Sequence, residues 1–325
     1  MDAPRIGLVL GAGGTVGGAF HAGVLAALAE ATGWDPRTAT VVVGTSAGSI
    51  TGTGLRVGLS AADAYARSLD LPASPEGARI LAPIEGTSAR RGFTRTGPRR
   101  LRPPTAVAAT LAGAVARPLA ARPGALLAGL VPDGVVSTDV IAAGVTALTG
   151  DAWPADPLWV CAVRQRDGRR VVFGRGDRRP PLAAAVAASC AIPAFFAPVE
   201  VDGEAHVDGG AHSPTNADVL RDEPLDLVVV VSPMSIAGRG LRLAPDQPAR
   251  RWARARLDAE ARRLRRAGLP VLAFQPTAAD AAVMAGNALD PAKRGPVARR
   301  AHASTRARLE RPDVAERVAL LRPGG

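Results

Sequence analysis

Lysine is all but missing from this chain. Of its 40 basic residues only Lys293 is a lysine, and with 29 acidic residues the net charge is +11. Such an arginine excess has two readings. One is a GC-rich coding sequence, which also favours Ala, Gly and Pro; the other is attraction to an anionic surface, either membrane headgroups or nucleic acid. Aromatic residues are scarce too, at 3%, with a single tyrosine. That leaves few platforms on which bases can stack, so nucleic acid is not expected as a partner, while an anionic membrane surface stays open. There are only two cysteines, Cys161 and Cys190. They form no disulfide framework and lack the spacing of a zinc site or redox pair, so they read as buried thiols. No cluster of metal ligands stands out, and neither metal nor cofactor is expected. No uninterrupted apolar stretch is long enough to span a bilayer. Residues Met1–Arg5 run almost directly into Ile6–Leu10, which is too short for a signal-peptide core. The expectation is a cytoplasmic protein, at most peripheral to a membrane.

What is present is a globular composition. Apolar residues make up 47% and charged residues 21% of 325 residues, enough to bury a sizeable core. Ile6–Leu10 reads as a strand buried on both faces. The glycine-rich run Gly11-Ala12-Gly13-Gly14-Thr15-Val16-Gly17-Gly18 follows, and then a helix over Ala19–Leu28 with Phe20, Val24 and Leu28 on one face. Further strands are predicted over Thr40–Gly44, Leu158–Val163, Val171–Phe173, Val199–Val201, Ala205–Val207, Leu225–Val231 and Pro270–Phe274. Helices are predicted over Ala47–Val57, from Ser60 onward, and over Thr138–Leu148, Leu182–Ser189, Ala249–Ala267 and Ala278–Met284. Ala292–Leu321 reads as mostly helical, with His302 on its surface. Strands alternate with helices to the end, which argues an α/β fold with a largely parallel sheet flanked by helices. Residues 83–132 differ from the rest: arginines and prolines interrupt two apolar helical stretches, Ala106–Ala116 and Ala125–Val131. This basic insertion reads either as a cap over the site that also touches lipid or as a helical insertion with a solvated basic face.

Three short patterns carry chemistry. The first is Gly44-Thr45-Ser46-Ala47-Gly48, a G-x-S-x-G between a β-branched strand and a helix of small residues. It describes a nucleophile elbow, with Ser46 exposed on a sharp strand-to-helix turn and Gly44 and Gly48 relieving its contacts. The second is the glycine loop, spanning Gly11, Gly13, Gly14 and Gly17. Unpaired N–H groups at a helix start bind anions, so the loop suits an oxyanion hole, a dinucleotide site or a ligand-free turn. Its glycines do not fit G-x-G-x-x-G, because the third position falls on Val16, and an oxyanion role is favoured by the elbow on the next strand. The third is Asp208-Gly209-Gly210 at the end of the Ala205–Val207 strand, which offers a carboxylate for acid–base work or a plain solvated turn. Four histidines are present, so a Ser-His-Asp triad through His206 or His212 is the competing arrangement.

Together the three blocks resemble bacterial patatin-like phospholipases. Gly11–Leu25 is similar to that family's oxyanion loop and helix, and Gly44–Gly48 to its nucleophile motif. The run Ala188-Ser189-Cys190-Ala191-Ile192-Pro193 through Asp208-Gly209-Gly210 is similar to its approach to the catalytic aspartate. Two departures stand out: Val16 replaces a common Arg or Lys, and Ser213-Pro214-Thr215-Asn216 stands where the family often has Asn-x-Pro. Over Ile6–Val57 and Leu158–Val231 the resemblance implies a three-layer sandwich; one domain is expected over residues 1–325, with a basic helical insertion near 60–150 and a helical extension near 245–325 outside the part that resembles the family. The resemblance also implies a Ser46–Asp208 dyad, with the Gly13 and Gly14 N–H groups holding the oxyanion, and a lipid or other ester as substrate. The alternatives are a soluble carboxylesterase or thioesterase, a lipid-binding protein that has lost turnover, and, by fold, a dinucleotide-binding oxidoreductase.

Overall fold

A computed structural model describes residues 3–85, 93–96, 131–238 and 246–322. The expected helical stretches at 106–116 and 125–131 lie outside the described residues, apart from Val131. The strands are β1 (Ile6–Leu10), β2 (Val41–Thr45), β3 (Leu158–Arg164), β4 (Arg170–Phe173), β5 (Val199–Val201), β6 (Glu204–Asp208), β7 (Leu227–Val231) and β8 (Val271–Phe274). They form one sheet in the order β5-β6-β3-β2-β1-β7-β8, with β4 paired to β3. The run β3-β2-β1-β7-β8 is parallel, and β4, β5 and β6 add antiparallel pairs at one side.

The central strands are valine-rich because both their faces are covered. Leu8, Leu10, Val42, Val160, Val229 and Val231 point to one side, where they meet Phe20, Val24 and Leu28 of helix α1 (Gly14–Thr32). Val9, Val43, Trp159, Val228 and Val230 point to the other side and meet Leu257 and Leu264. The latter two belong to α7 (Gln247–Arg266), numbered among the described helices. The result is a helix–sheet–helix sandwich.

Before α7 come α2 (Ala47–Arg56), α3 (Ala61–Ser68), α4 (Pro75–Glu85), α5 (Asp139–Thr149) and α6 (Leu182–Ser189). After it come α8 (Ala278–Met284), α9 (Arg294–Leu309) and α10 (Ala315–Ala319). Ser60 caps α3 by accepting from the Asp63 N–H, as its residue type predicts.

Three expectations need correcting. Helix α1 starts five residues earlier than predicted, so Gly14, Gly17 and Gly18 lie inside it rather than in a loop. Glycine is a poor helix former, but tertiary contacts override that cost. The Val16 N–H donates to Ala288 O at 3.0 Å, and Pro233 packs against Gly13 and Gly17. Nor is α1 buried on one face only. It is enclosed between the sheet and α9, so close that a Cβ on Gly23 would sit 2.3 Å from Ala298 O. His302 on α9 is also less exposed than predicted. Its ring stacks on Tyr65 with centroids 5.0 Å apart, and its Nε2 lies 2.8 Å from Glu30 Oε2, tying α9 to α3 and α1.

Candidate active site

The parallel strands β1, β2 and β7 all finish on one edge of the sheet, where open α/β folds place their ligands. Ser46 follows β2 directly. Its backbone has φ 54° and ψ −123°, a conformation that costs a non-glycine residue about 1–3 kcal/mol. Neighbouring groups hold it there. The Ser46 N–H donates to Ser189 Oγ at 2.9 Å, Ser189 Oγ donates to Cys161 O at 2.7 Å, and Ser49 Oγ donates to Ser46 O at 2.7 Å. The elbow glycines are required by close approach. A Cβ on Gly48 would lie 1.9 Å from Leu10 O, and one on Gly44 would lie 2.5 Å from Ser49 Cα.

Asp208 reaches the same place along β3. That strand pairs Cys161 with Thr45 and the next residue, Ala162, with Asp208. Two strand ends more than 160 positions apart in sequence therefore arrive one residue apart. Gly209 lets them close, since a Cβ there would sit 2.2 Å from Cys161 O. Asp208 is 4% exposed. Burial pushes its carboxyl up to about 6, although the Ser46 hydroxyl and the Gly210 N–H both favour the charged form. The Gly210 N–H donates to Asp208 Oδ1 at 2.7 Å.

Asn216, which sequence reading left open, clamps this junction. Its Nδ2 donates to Thr45 Oγ1 at 3.1 Å, Gly209 O at 3.3 Å and Ser213 O at 2.6 Å. It is fully buried with φ 53°, the left-handed region that asparagine tolerates best among side-chain-bearing residues. Its amide thus ties the end of β2, just before Ser46, to the turn just after Asp208. Ser189 is the second residue that sequence reading did not single out by role. Nothing in its alanine-rich surroundings marks it except a hydroxyl in an otherwise apolar helix.

The glycine loop faces the same space. The first internal bond of α1 runs from the Gly17 N–H to Gly13 O. The N–H groups of Gly14 and Thr15 therefore have no acceptor within the helix, while that of Val16 is taken by Ala288. Gly13, Gly14, Ser46 and Asp208 all line one cavity of about 290 Å³. Its other walls are mostly apolar and include Ile192, Pro193, Met234, Met284 and Leu289, with Asp246 and Arg250 as further charged members. Much of this wall comes from the chain after residue 232, where no motif announced it. Such a space suits a chain-like apolar group delivered to a serine beside a carboxylate and a free helix start.

None of the four histidines lines that cavity. His206 stacks edge-on against Phe173 and places Nδ1 2.8 Å from Glu204 O. His21 is fully buried in α1, with Nδ1 3.2 Å from Thr51 Oγ1, and burial pushes its pKa down to about 3. His212 sits just past the short turn Gly209–Ala211. The two cysteines are free and buried, and burial pushes the Cys161 thiol up to about 12 and Cys190 up as well. Among the described residues no group of His, Cys, Asp and Glu is placed to hold a metal ion. No described helix is long and apolar enough to cross a membrane.

Comparison with known proteins follows the same lines. The family model described as patatin-like phospholipase matches residues 8–221. Among solved structures, VipD from Legionella pneumophila is similar with a TM-score of 0.42 and 16% identity, covering 95% of this chain and 67% of that one. At that score the likeness is too weak to argue from. No curated protein matches.

Proposed function

The chain belongs to the patatin-like phospholipase family, whose members are lipid acyl hydrolases, and from that premise we propose that it cleaves carboxylic esters of lipids through Ser46, Asp208 and an acyl-enzyme. The observation that carries the proposal is the pairing of a strained turn at Ser46, itself only 4% exposed, with a buried carboxyl shifted to about 6 in one cavity.

The chemistry follows from these groups. Ser46 Oγ attacks the ester carbonyl while its proton passes to the Asp208 carboxylate. The carbonyl oxygen becomes an oxyanion, held by the N–H groups of Gly13 and Gly14 at the start of α1. The tetrahedral intermediate collapses to an acyl-Ser46, and the proton on Asp208 goes to the departing alcohol. Water then attacks the acyl group, Asp208 takes its proton, and the acid is released as Ser46 is restored. An ordinary aspartate is too weak a base for this at neutral pH. A carboxyl near 6 is better matched while still mostly ionised at pH 7.

A lipid substrate is supported by the apolar walls and by two exposed aromatics outside the cavity lining. Phe195, two residues beyond Pro193 of the wall, is 41% exposed, and Phe93 is 46% exposed; both rings pack edge-on against Phe196. Exposed aromatics beside a basic stretch suit a peripheral contact with an anionic bilayer surface.

A second reading is a lipid-binding protein without turnover. It is favoured by Ala288 and Leu289, which press on the glycine loop so closely that a Cβ on Gly14 would lie 2.8 Å from Ala288 O. One experiment separates the two. Phospholipid and short-chain ester hydrolysis is measured for the native chain, Ser46→Ala and Asp208→Asn, alongside labelling by a fluorophosphonate. Hydrolysis and labelling in the native chain, both lost in Ser46→Ala, support the hydrolase. Lipid binding with no labelling supports the second reading.

A further inference from the structure

The cavity contains one cation among the described residues that line it, and neither the dyad nor the oxyanion site uses it. This is Arg250, in the first turn of α7 and only 7% exposed. Burying a guanidinium is costly unless its donors are satisfied. Three of them are engaged. Nε donates to Asp246 Oδ2 at 2.6 Å, and Nη1 donates to Pro233 O at 3.1 Å and Ser235 O at 3.2 Å. No hydrogen bond among the described residues uses Nη2, which leaves two N–H groups on a side chain that lines the cavity. These bonds lock the plane of the guanidinium, so those donors are pre-aimed rather than mobile.

The helix start adds to them. The first internal bond of α7 is from the Arg250 N–H to Asp246 O, and Asp246 makes no side-chain cap because its carboxylate is turned to Arg250. The N–H of Ala249, another cavity-lining residue, therefore has no acceptor within the helix. Fixed guanidinium donors beside an uncapped helix start fit an anionic oxygen, and the remaining walls are mostly apolar, with Ser46, Asp208 and Asp246 the polar members.

We propose that Arg250 is a recognition residue that binds a phosphate-type group carried on an apolar chain, so that the cavity selects acidic amphiphiles. The proposal deepens the lipid-ester reading and names the substrate class, but binding can be tested without any turnover. Asp246 sets its strength. By neutralising Arg250 it leaves directed hydrogen bonding, rather than net charge, to hold the ligand.

The test is calorimetric binding of n-octyl phosphate, n-octanol and inorganic phosphate to the full native chain at neutral pH. The expected result is that octyl phosphate binds about tenfold or more tighter than octanol, the size of one charge-assisted hydrogen bond. Arg250→Gln removes that preference. Asp246→Asn, which leaves the guanidinium in place with its charge uncompensated, strengthens octyl phosphate and not octanol. A purely structural Arg250 would give the opposite pattern, because both substitutions would then loosen the Pro233–Ser235 turn and weaken both ligands alike. Equal affinity for octyl phosphate and octanol in the native chain overturns the proposal. So does retention of the preference in Arg250→Gln, and so does inorganic phosphate binding as tightly as octyl phosphate, which would assign the site to a free anion. Failure of ester hydrolysis in the native chain would instead strike the hydrolase reading and leave this binding result standing.

Discussion

Replacing Asp208 by Asn removes a buried carboxylate that must ionise in order to act as a base. Its pKa is about 6 in the folded chain against an ordinary value of 3.8. The folded value is the higher one, so the native state binds the proton more tightly than the unfolded chain. The stability this brings is complete below pH 3.8 and is lost as pH rises through about 6. Above that, the fold carries a desolvated charge. Two pKa units correspond to about 3 kcal/mol. Asparagine has nearly the same shape, is neutral at every pH, and can still accept from the Gly210 N–H. Asp208→Asn should therefore stabilise the protein by about 3 kcal/mol at pH 8 and by almost nothing near pH 3.5, while abolishing ester hydrolysis. With an unfolding entropy of about 2.1 cal/mol/K per residue, that gain raises the Tm by about 4 °C for a chain of 325 residues. Thermal melts of both proteins from pH 3.5 to 8, with hydrolysis assayed beside them, provide the check. In the native chain kcat/KM should rise as pH passes about 6, as the base ionises. An Asn variant no more stable at pH 8, or equally favoured at both ends of the pH range, would refute a buried and strained carboxylate at this position.

Other substitutions probe the supports of the site. Asn216→Ala removes the amide that binds Thr45, Gly209 and Ser213, so it should cost about 1–3 kcal/mol of stability and slow fluorophosphonate labelling of Ser46 at least tenfold. His206→Ala and His212→Ala should keep kcat within a few-fold of native, because neither ring lines the cavity; loss in either variant, with an unchanged melt, would restore the triad. The Cys161 thiol, pushed up to about 12, and Cys190 should stay unreactive to a thiol reagent at pH 8 until the chain is unfolded, which time-resolved labelling would read directly.

Much of the local structure was legible in order along the chain. The valine runs predicted strands buried on both faces, because such residues suit pleated surfaces with no solvent side. Helices over Leu182–Ser189 and Ala278–Met284 match the predicted bounds. The α1 start was missed because helix propensity counts against glycine, and only the contacts from Pro233 and Ala288 show why glycine is needed there.

For the site, the division falls in the same place. Ser46 with Gly44 and Gly48 is a message contained in five residues: a tight turn can be read where it is written, since steric limits act between near neighbours. That Asp208 stands beside it is decided by β3, which sets Thr45 opposite Cys161 and Asp208 opposite Ala162. Strand order and register depend on which distant segments share a core, and no local pattern specifies them. The absence of histidine from the cavity, the Asn216 clamp, and the wall built from Met284, Leu289 and Arg250 are likewise products of packing between segments far apart in the chain. The amino-acid order by itself determined that Ser46 sits on a tight strand-to-helix turn; tertiary structure decided that Asp208 meets it, how far burial raises that carboxyl, and which residues wall the space beside them.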